Sequence, residues 1–317
     1  MEFKKILITG AAGFVGSHVY DHFAAVYPNA QIDILDKMTY ASNIKNIPSV
    51  LSNEKHRLIV GDLIDFDICL NATKDRDLVI NLAAESHVDN SFDNSIIFSR
   101  SNELGTHTLM EACRQNSVRK IIHVSTDEVY GENVDKPFVE DDRLNPTNPY
   151  AASKAAAEMI VKSYFTSFNL PVVVVRANNI YGVRQFPEKI IPKFILRCIE
   201  GHPLELHGDG SNLRHYLSAS DFAKALEVLT MYGKNGEAYN IASDLELSNT
   251  KVAELVSSHF PDKEIRFEYV SDRPFNDSRY AVDDNKLRNL GWSPDRSLVE
   301  DIPTIIDWYK ANSHWFR

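Results

Sequence analysis

Lys5-Ile6-Leu7-Ile8-Thr9-Gly10-Ala11-Ala12-Gly13-Phe14-Val15-Gly16 is the stretch that decides the fold. A short apolar run, Lys5–Thr9, reads as a strand and breaks into three glycines, after which a helical pattern covers 13–26. Glycines at this spacing let the chain turn sharply, bring backbone N–H groups to a pyrophosphate, and pack the next helix close to the sheet. The helix start then offers its positive end to phosphate. Asp36 ends the second strand twenty positions after Gly16. A carboxylate there accepts hydrogen bonds from an adenosine ribose and repels a 2′-phosphate, which favours NAD over NADP; the adjacent Lys37 weakens that preference slightly. Asp62 ends the third strand, and it reads either as an adenine contact or as a helix N-cap.

Outward from this turn, strand-like runs recur at Ile32–Leu35, Arg57–Val60, Leu78–Leu82, Lys120–Val124 and Val172–Val175. The last is four valines, apolar on both faces, as a buried parallel strand requires. Helical patterns at Ser95–Asn116 and Tyr150–Phe168 alternate with them. This alternation predicts an α/β fold, a doubly wound parallel sheet of Rossmann type, over residues 1–180. Beyond 180, Pro187, Pro192, Pro203, Gly208 and Gly210 cut the chain into shorter pieces. Helices are expected at Ile190–Glu200, Ser220–Met231, Asn249–His259 and Leu298–Lys310. Residues 181–317 therefore read as a smaller α/β substrate lobe over the carboxyl ends of the strands, with some segments returning to the first domain.

The bulk chemistry narrows the classes. The 317 residues carry a formal net charge of -10, which argues against a nucleic-acid partner. Cys69, Cys113 and Cys198 are too few and too scattered for a disulfide framework or a metal site, so no metal and a reducing, cytoplasmic setting are expected. The first residues show no signal peptide, and no apolar run approaches the roughly 18–20 residues of a membrane span.

Asn148-Pro149-Tyr150 starts the long helical pattern, and Tyr150 and Lys154, four apart, share one helix face. A phenol near its normal pKa of about 10 is a poor base at neutral pH; an ammonium close by lowers it. The glycine turn together with Tyr150-x-x-x-Lys154 resembles the extended short-chain dehydrogenase/reductase family. There a Ser or Thr ending the fifth strand, here Thr126, completes the set, and 4-epimerases, decarboxylases and dehydratases of sugar nucleotides all remain open.

Val124-Ser125-Thr126-Asp127-Glu128-Val129-Tyr130-Gly131 resembles the signature of nucleotide-sugar 4,6-dehydratases. That resemblance implies Glu128 as the base that takes the C5 proton and Asp127 as the acid that protonates the departing C6 hydroxyl. Because successive strand residues point to opposite faces, both carboxyls reach one sugar only if the chain leaves strand geometry just after Thr126.

The resemblance continues through Asn81–Asp89, Asn178–Gly182, Gln185–Lys193 and Gly208–Arg214. It implies cofactor contacts from Gly10, Gly13, Phe14 and Gly16, from Asp36, Lys37 and Thr39, and from Asp62 and Leu63. Leu82, Ala83 and Ala84 join them, with Tyr150 and Lys154. Substrate contacts are implied for Ser86, His87, Asn179, Glu188 and Lys189. Lys193, Arg214, Asn249 and Arg273 are implied at the nucleoside diphosphate, where Arg forms forked, charge-assisted bonds. Two departures stand out. Bacterial dTDP-glucose dehydratases carry Gly-His after the Arg-Pro of the C-terminal motif, whereas this chain has Arg273-Pro274-Phe275-Asn276, closer to the dehydratase half of plant UDP-rhamnose synthases. Val183 stands where the family has Pro, so a small loop change is expected near the cofactor. The implied substrates are UDP-glucose or dTDP-glucose, with a homodimer built from two long helices per subunit. An NAD-dependent 4-epimerase is the alternative enzyme, and a non-catalytic dinucleotide sensor the alternative outside catalysis.

Overall fold

The computed structural model describes residues 2–133 and 135–316. Met1 and Arg317, the outer bounds of the two expected domains, lie outside the described residues.

Six strands form in the expected places: β1 (Lys5–Thr9), β2 (Gln31–Asp36), β3 (His56–Val60), β4 (Leu78–Asn81), β5 (Ile121–Thr126) and β6 (Val172–Ala177). Six more follow: β7 (Asn179–Tyr181), β8 (Leu204–His207), β9 (Leu213–Ser218), β10 (Ala238–Ile241), β11 (Glu246–Ser248) and β12 (Phe267–Val270). The large sheet runs β10-β6-β5-β4-β1-β2-β3, and every pair in it is parallel. This is the Rossmann order extended by β10, with the order reversing between β1 and β4, where such sheets open a crevice for ligands.

The valine run shows why the sheet is stable. Val173 and Val175 join one apolar core and Val172 and Val174 the core on the opposite face, as a period of two demands. Each such side chain taken from water contributes about 1.5–3 kcal/mol. The region after 180 has its own core, in which Phe194 and Ile195 meet Leu204, Leu206, Val252 and Ile302. Two small sheets frame it, β11-β9-β7 and β12-β8. Residues 219–241 return to the large sheet: the helix Ala219–Tyr232 packs on the first helix, Phe14–Val26, and β10 extends β6.

One element differs from its sequence reading. The pattern at 95–116 predicts a single regular helix, but the structure has Ser95–Phe98 and Gly105–Gln115 joined by a π-helical segment, Ser99–Leu104. The wider turn aims Asn102 inward. Its amide accepts from Glu85 N at 2.8 Å and donates to Glu85 O at 2.9 Å and to Ser153 Oγ at 2.9 Å. A π turn of this kind costs regular helix geometry and is found where a side chain must be re-aimed. Here it ties the loop after β4 to the helix Pro149–Phe168.

Candidate active site

The glycine turn is built for close approach. Gly10 has φ 71°, and a Cβ there would meet Ala83 backbone at 2.8 Å; a Cβ on Gly16 would lie 2.2 Å from Gly10 O. The first helix starts at Phe14 with Gly13 as its N-cap and no side-chain cap, so its leading N–H groups stay open to an anion. Asp36 is buried. Its Oδ2 accepts from Ala12 N at 2.9 Å, and its Oδ1 accepts from Met38 N at 2.8 Å and Ser42 Oγ at 2.9 Å. The carboxylate thus locks the glycine turn to the loop after β2 and keeps spare acceptor capacity for a ribose. This crevice, with its free N–H groups and glycine cradle, fits a dinucleotide.

Asp62 corrects one of the two sequence readings. It is not the cap of the next helix: Asp65 caps Phe66–Thr73 by accepting from Ile68 N at 3.1 Å. Asp62 instead accepts from Ile64 N at 3.3 Å and pairs with Lys37 at 2.7 Å, so both side chains stand together on the cleft wall.

Every site residue named from sequence except Asp127 lines one cleft of ≈ 470 Å³. It runs from the glycine turn past Thr126, Tyr150 and Lys154 to Lys193, Arg214 and Arg273. At its centre β5 ends at Thr126, and Asp127–Tyr130 wind into a 3-10 turn. The chain leaves strand geometry just after Thr126, and of the two carboxyls that follow only Glu128 enters the cleft. Thr126 Oγ1 starts that turn by accepting from Glu128 N at 3.3 Å. The turn is anchored behind by Tyr130, whose hydroxyl donates to Asn240 Oδ1 at 2.9 Å and whose ring lies 4.8 Å from the Arg176 guanidinium.

The helix Pro149–Phe168 carries Tyr150 and Lys154. Asn148 caps it through Ala151 N at 2.8 Å, and the same side chain donates to Glu128 Oε2 at 3.2 Å. One residue therefore sets both the start of this helix and the position of Glu128. Asn178 Nδ2 donates to Asp127 Oδ2 at 2.7 Å, and Thr126 Oγ1 donates to Asp127 Oδ1 at 3.2 Å. Asp127 lies just behind the cleft wall, 3 % exposed, and Glu128 stands in the cleft.

The two carboxyls share burial but not partners. Burial and the neighbouring Glu128 charge push Asp127 up to about 7. Burial also raises Glu128, against the pull of Asn148 and of the Arg214 and Lys189 charges. Lys154 is pushed down to about 8 by burial, and its Nζ donates to Val124 O at 2.7 Å. Tyr150 departs from the sequence expectation. In the free protein, burial and the charges of Glu128 and Asp127 raise its phenol, and the bond to Thr126 only partly offsets them. Burial is the largest of these influences, and it opposes the lowering that the sequence reading expected of the neighbouring ammonium.

The cations at the other end of the cleft all have partners. Arg273 pairs with Asp89 at 2.6 Å, Lys193 with Glu205 at 2.9 Å, and Lys189 Nζ donates to Ser86 O at 2.7 Å. Glu188 accepts from Tyr40 at 2.9 Å, and the Arg214 guanidinium lies 4.6 Å from the Tyr280 ring. Asn249 starts the helix Asn249–Ser257 on the cleft wall. His87 and Asn179 also line the cleft. At Val183 the loop bends: its carbonyl lies 3.0 Å from His18 Nε2, and Arg184 takes φ 69°. Sequence reasoning missed three residues here, namely Asn148 and Asn178, which hold the two carboxyls, and Tyr280. Asn178 was within reach, because it opens the stretch Asn178–Gly182 that follows the sixth strand. Among the described residues there is no group of three or more His, Cys, Asp or Glu placed to hold a metal ion.

A Rossmann sheet with this glycine turn, a Tyr–Lys pair on one helix face and a strand-end threonine defines an extended short-chain dehydrogenase/reductase fold. The chain belongs to the family described as GDP-mannose 4,6 dehydratase, whose model matches residues 7–304. It is 46% identical over 99% of its length to a trifunctional UDP-glucose 4,6-dehydratase/UDP-4-keto-6-deoxy-D-glucose 3,5-epimerase/UDP-4-keto-L-rhamnose-reductase of Arabidopsis thaliana, of which it covers 48%. The chain thus spans about half the length of the plant relatives it matches. It is 40% identical to the dTDP-D-glucose 4,6-dehydratase of Homo sapiens, covering 98% of this chain and 91% of that one. Among solved structures it resembles the dTDP-glucose 4,6-dehydratase DesIV of Streptomyces venezuelae, with NAD and TYD bound, at TM-score 0.95 and 34% identity over 98% of each chain. A UDP-glucose 4-epimerase of Thermus thermophilus in complex with NAD also superposes, at TM-score 0.89 and 28% identity, covering 97% of this chain and 99% of that one. The fold alone therefore does not separate the reactions.

Proposed function

We propose that the chain is an NAD-dependent nucleoside-diphosphate-glucose 4,6-dehydratase, a hydro-lyase that converts UDP-glucose or dTDP-glucose to the 4-keto-6-deoxy sugar nucleotide and water. The observation that carries this is the pair Asp127–Glu128 on one 3-10 turn beside Tyr150, with different partners for the two carboxyls. A 4-epimerase needs the Tyr–Lys pair and has no use for that turn.

Gly10, Gly13, Gly16, Asp36 and the Ala83 segment would hold NAD, which would supply the hydride acceptor for C4, the hydride donor for C6 and a positive charge. Tyr150 takes the proton of the 4-hydroxyl while Thr126 hydrogen-bonds that oxygen. Lys154, at about 8, holds or passes a proton at the phenol side near neutral pH. Glu128 takes the C5 proton, which the 4-keto group has made acidic, and returns a proton to C5 once C6 has regained its hydride. Asp127 keeps its own proton to about pH 7 and gives it to the C6 oxygen as water departs. To do so, Asp127 must turn from Asn178 toward the cleft. Arg214, Arg273 and Lys193 bind the diphosphate end, exchanging carboxylate or ring partners for phosphate oxygens. Incubation with UDP-glucose and dTDP-glucose is expected to give products one water lighter by mass spectrometry. Product of unchanged mass with inverted C4 would replace this reading by epimerisation.

Asp127 also sets a pH dependence. The unfolded carboxyl releases its proton near 3.8, whereas the folded one holds it to about 7. The native state therefore loses stability as pH rises through that window, and the loss is complete above it. Asp127→Asn is expected to raise the melting temperature at pH 8 and leave it nearly unchanged at pH 4, a difference on the order of 4 kcal/mol. Turnover is expected to fall as pH rises above about 7, where the acid is spent. Melting curves of wild type and variant at the two pH values check the sign.

A homodimer is part of the same proposal. Ile96, Leu104, Met159 and Phe168 are exposed on the helical segments 95–115 and 149–168. Their apolar faces suit a four-helix contact between two copies. Ile96→Lys is expected to shift the mass measured by light scattering from two chains to one. Among the described residues no helix is long and apolar enough to cross a membrane. Three free, buried cysteines suit a cytoplasmic setting.

A further inference from the structure

The glycine turn is held from an unexpected direction. Ala12 O, inside Gly10–Gly13, accepts from Asn43 N at 2.9 Å and from Asn46 Nδ2 at 2.8 Å. Two donors saturate that carbonyl and fix the plane of the peptide that opens the turn. Both asparagines are bonded in turn to the far end of the chain. Trp315 Nε1 donates to Asn46 Oδ1 at 2.9 Å, and Asn43 Nδ2 donates to Trp315 O at 2.8 Å. Lys45, between the two asparagines, stands 5.6 Å from the Trp315 ring.

Residues 312–316 reach this place as an ordered strap. Trp315 lies edge-on to Trp308 of the helix Leu298–Ala311 at 5.2 Å. Phe316 meets Phe186 at 5.5 Å, and Phe186 meets Tyr40 at 5.2 Å. Phe186 lines the cleft, and Tyr40 lies in the loop that Asp36 ties to the glycine turn.

We infer that Trp315 is a positioning residue for the dinucleotide turn, acting through Asn46 and Asn43. The inference rests on the reading of that turn as the NAD site. An amide presents a donor at one end and an acceptor at the other. With the indole N–H on Asn46 Oδ1, the Nδ2 end must face Ala12 O. Without it, the amide is free to rotate and to set oxygen against oxygen. The turn then has to be ordered when the dinucleotide binds, and ordering weakens binding. The coupling suits a reaction in which one hydride is lent and returned. A cofactor that left between the two transfers would strand the sugar in its oxidised form, without the hydride that C6 must receive.

The test uses Trp315→Phe, which keeps an aromatic ring beside Trp308 and the main-chain bond to Asn43 and removes the indole donor. NAD affinity is measured by titration calorimetry and the dissociation rate by stopped-flow competition, neither of which needs turnover. The Kd for NAD is expected to rise about threefold to tenfold, through faster dissociation. The KM for the sugar nucleotide at saturating NAD is expected to stay unchanged. Ile306→Val, a loss of one methylene in the core of the C-terminal lobe, serves as the structural control: it is expected to lower the melting temperature and leave the NAD Kd alone. Trp315→Phe with wild-type NAD affinity overturns the inference, as does an equal loss of affinity in Ile306→Val. A wild-type protein that binds no dinucleotide overturns the cofactor reading itself, and the inference with it.

Discussion

Glu128→Gln is expected to leave hydride removal at C4 largely intact and to cut formation of the dehydrated product by about 10²–10⁴-fold. Glutamine keeps the shape and can still accept from Asn148, whose amide now donates to Glu128 Oε2. It cannot take the C5 proton. Oxidation precedes elimination, so the variant should stall after the first step, and the absorbance of the reduced cofactor should accumulate on mixing with substrate. Burial already raises the Glu128 carboxyl. Its removal also withdraws the negative charge that, after burial, does most to raise Asp127, so the proton of Asp127 should be lost at lower pH in the variant. Rapid-mixing absorbance and product mass, read on the same samples, separate the two steps. An epimerase would barely respond to this substitution.

Tyr150→Phe is expected to remove the first step as well. Phe keeps the ring against Phe98, 6.3 Å away, and loses the hydroxyl bonded to Thr126. No remaining group at that point can take the 4-hydroxyl proton. Product formation should fall by about 10³–10⁴-fold, with no reduced cofactor on mixing. NAD and the sugar nucleotide should still bind, because the diphosphate end and the glycine turn are untouched. The contrast between the variants is what matters: one stalls with the hydride transferred, the other with it still on the sugar. A sensor protein with the same fold would tolerate Tyr150→Phe.

Much of this was readable locally, because the physics involved is local. Three glycines between an apolar run and a helical pattern admit few backbone paths, and the structure fills the spaces that side chains would need with Gly10 and Ala83 backbone. Tyr150 and Lys154 share a face through helix period alone. Even the bend after Thr126 followed from strand alternation combined with the need for two carboxyls, and the 3-10 turn supplies it. The rest depends on long-range packing. Nothing near Arg273 announces Asp89, its partner 184 positions away. The π segment at Ser99–Leu104 follows from Asn102 having to reach the loop after β4, which helical periodicity cannot express. Asp62 had two local readings, and the cap fell to Asp65, three positions on, while Asp62 pairs with Lys37. Tyr150 shows the same limit in its chemistry: the i,i+4 lysine is visible in sequence, and the burial that raises the phenol is not.

The most direct test of the dehydratase reading follows one atom. UDP-glucose and dTDP-glucose carrying deuterium at C4 are incubated with the protein, and the products are read by mass spectrometry and NMR. The account predicts a product one water lighter with the deuterium in the new C6 methyl group. Deuterium retained at C4 in a product of unchanged mass, or a dehydrated product from which the label has been lost to solvent, would contradict it.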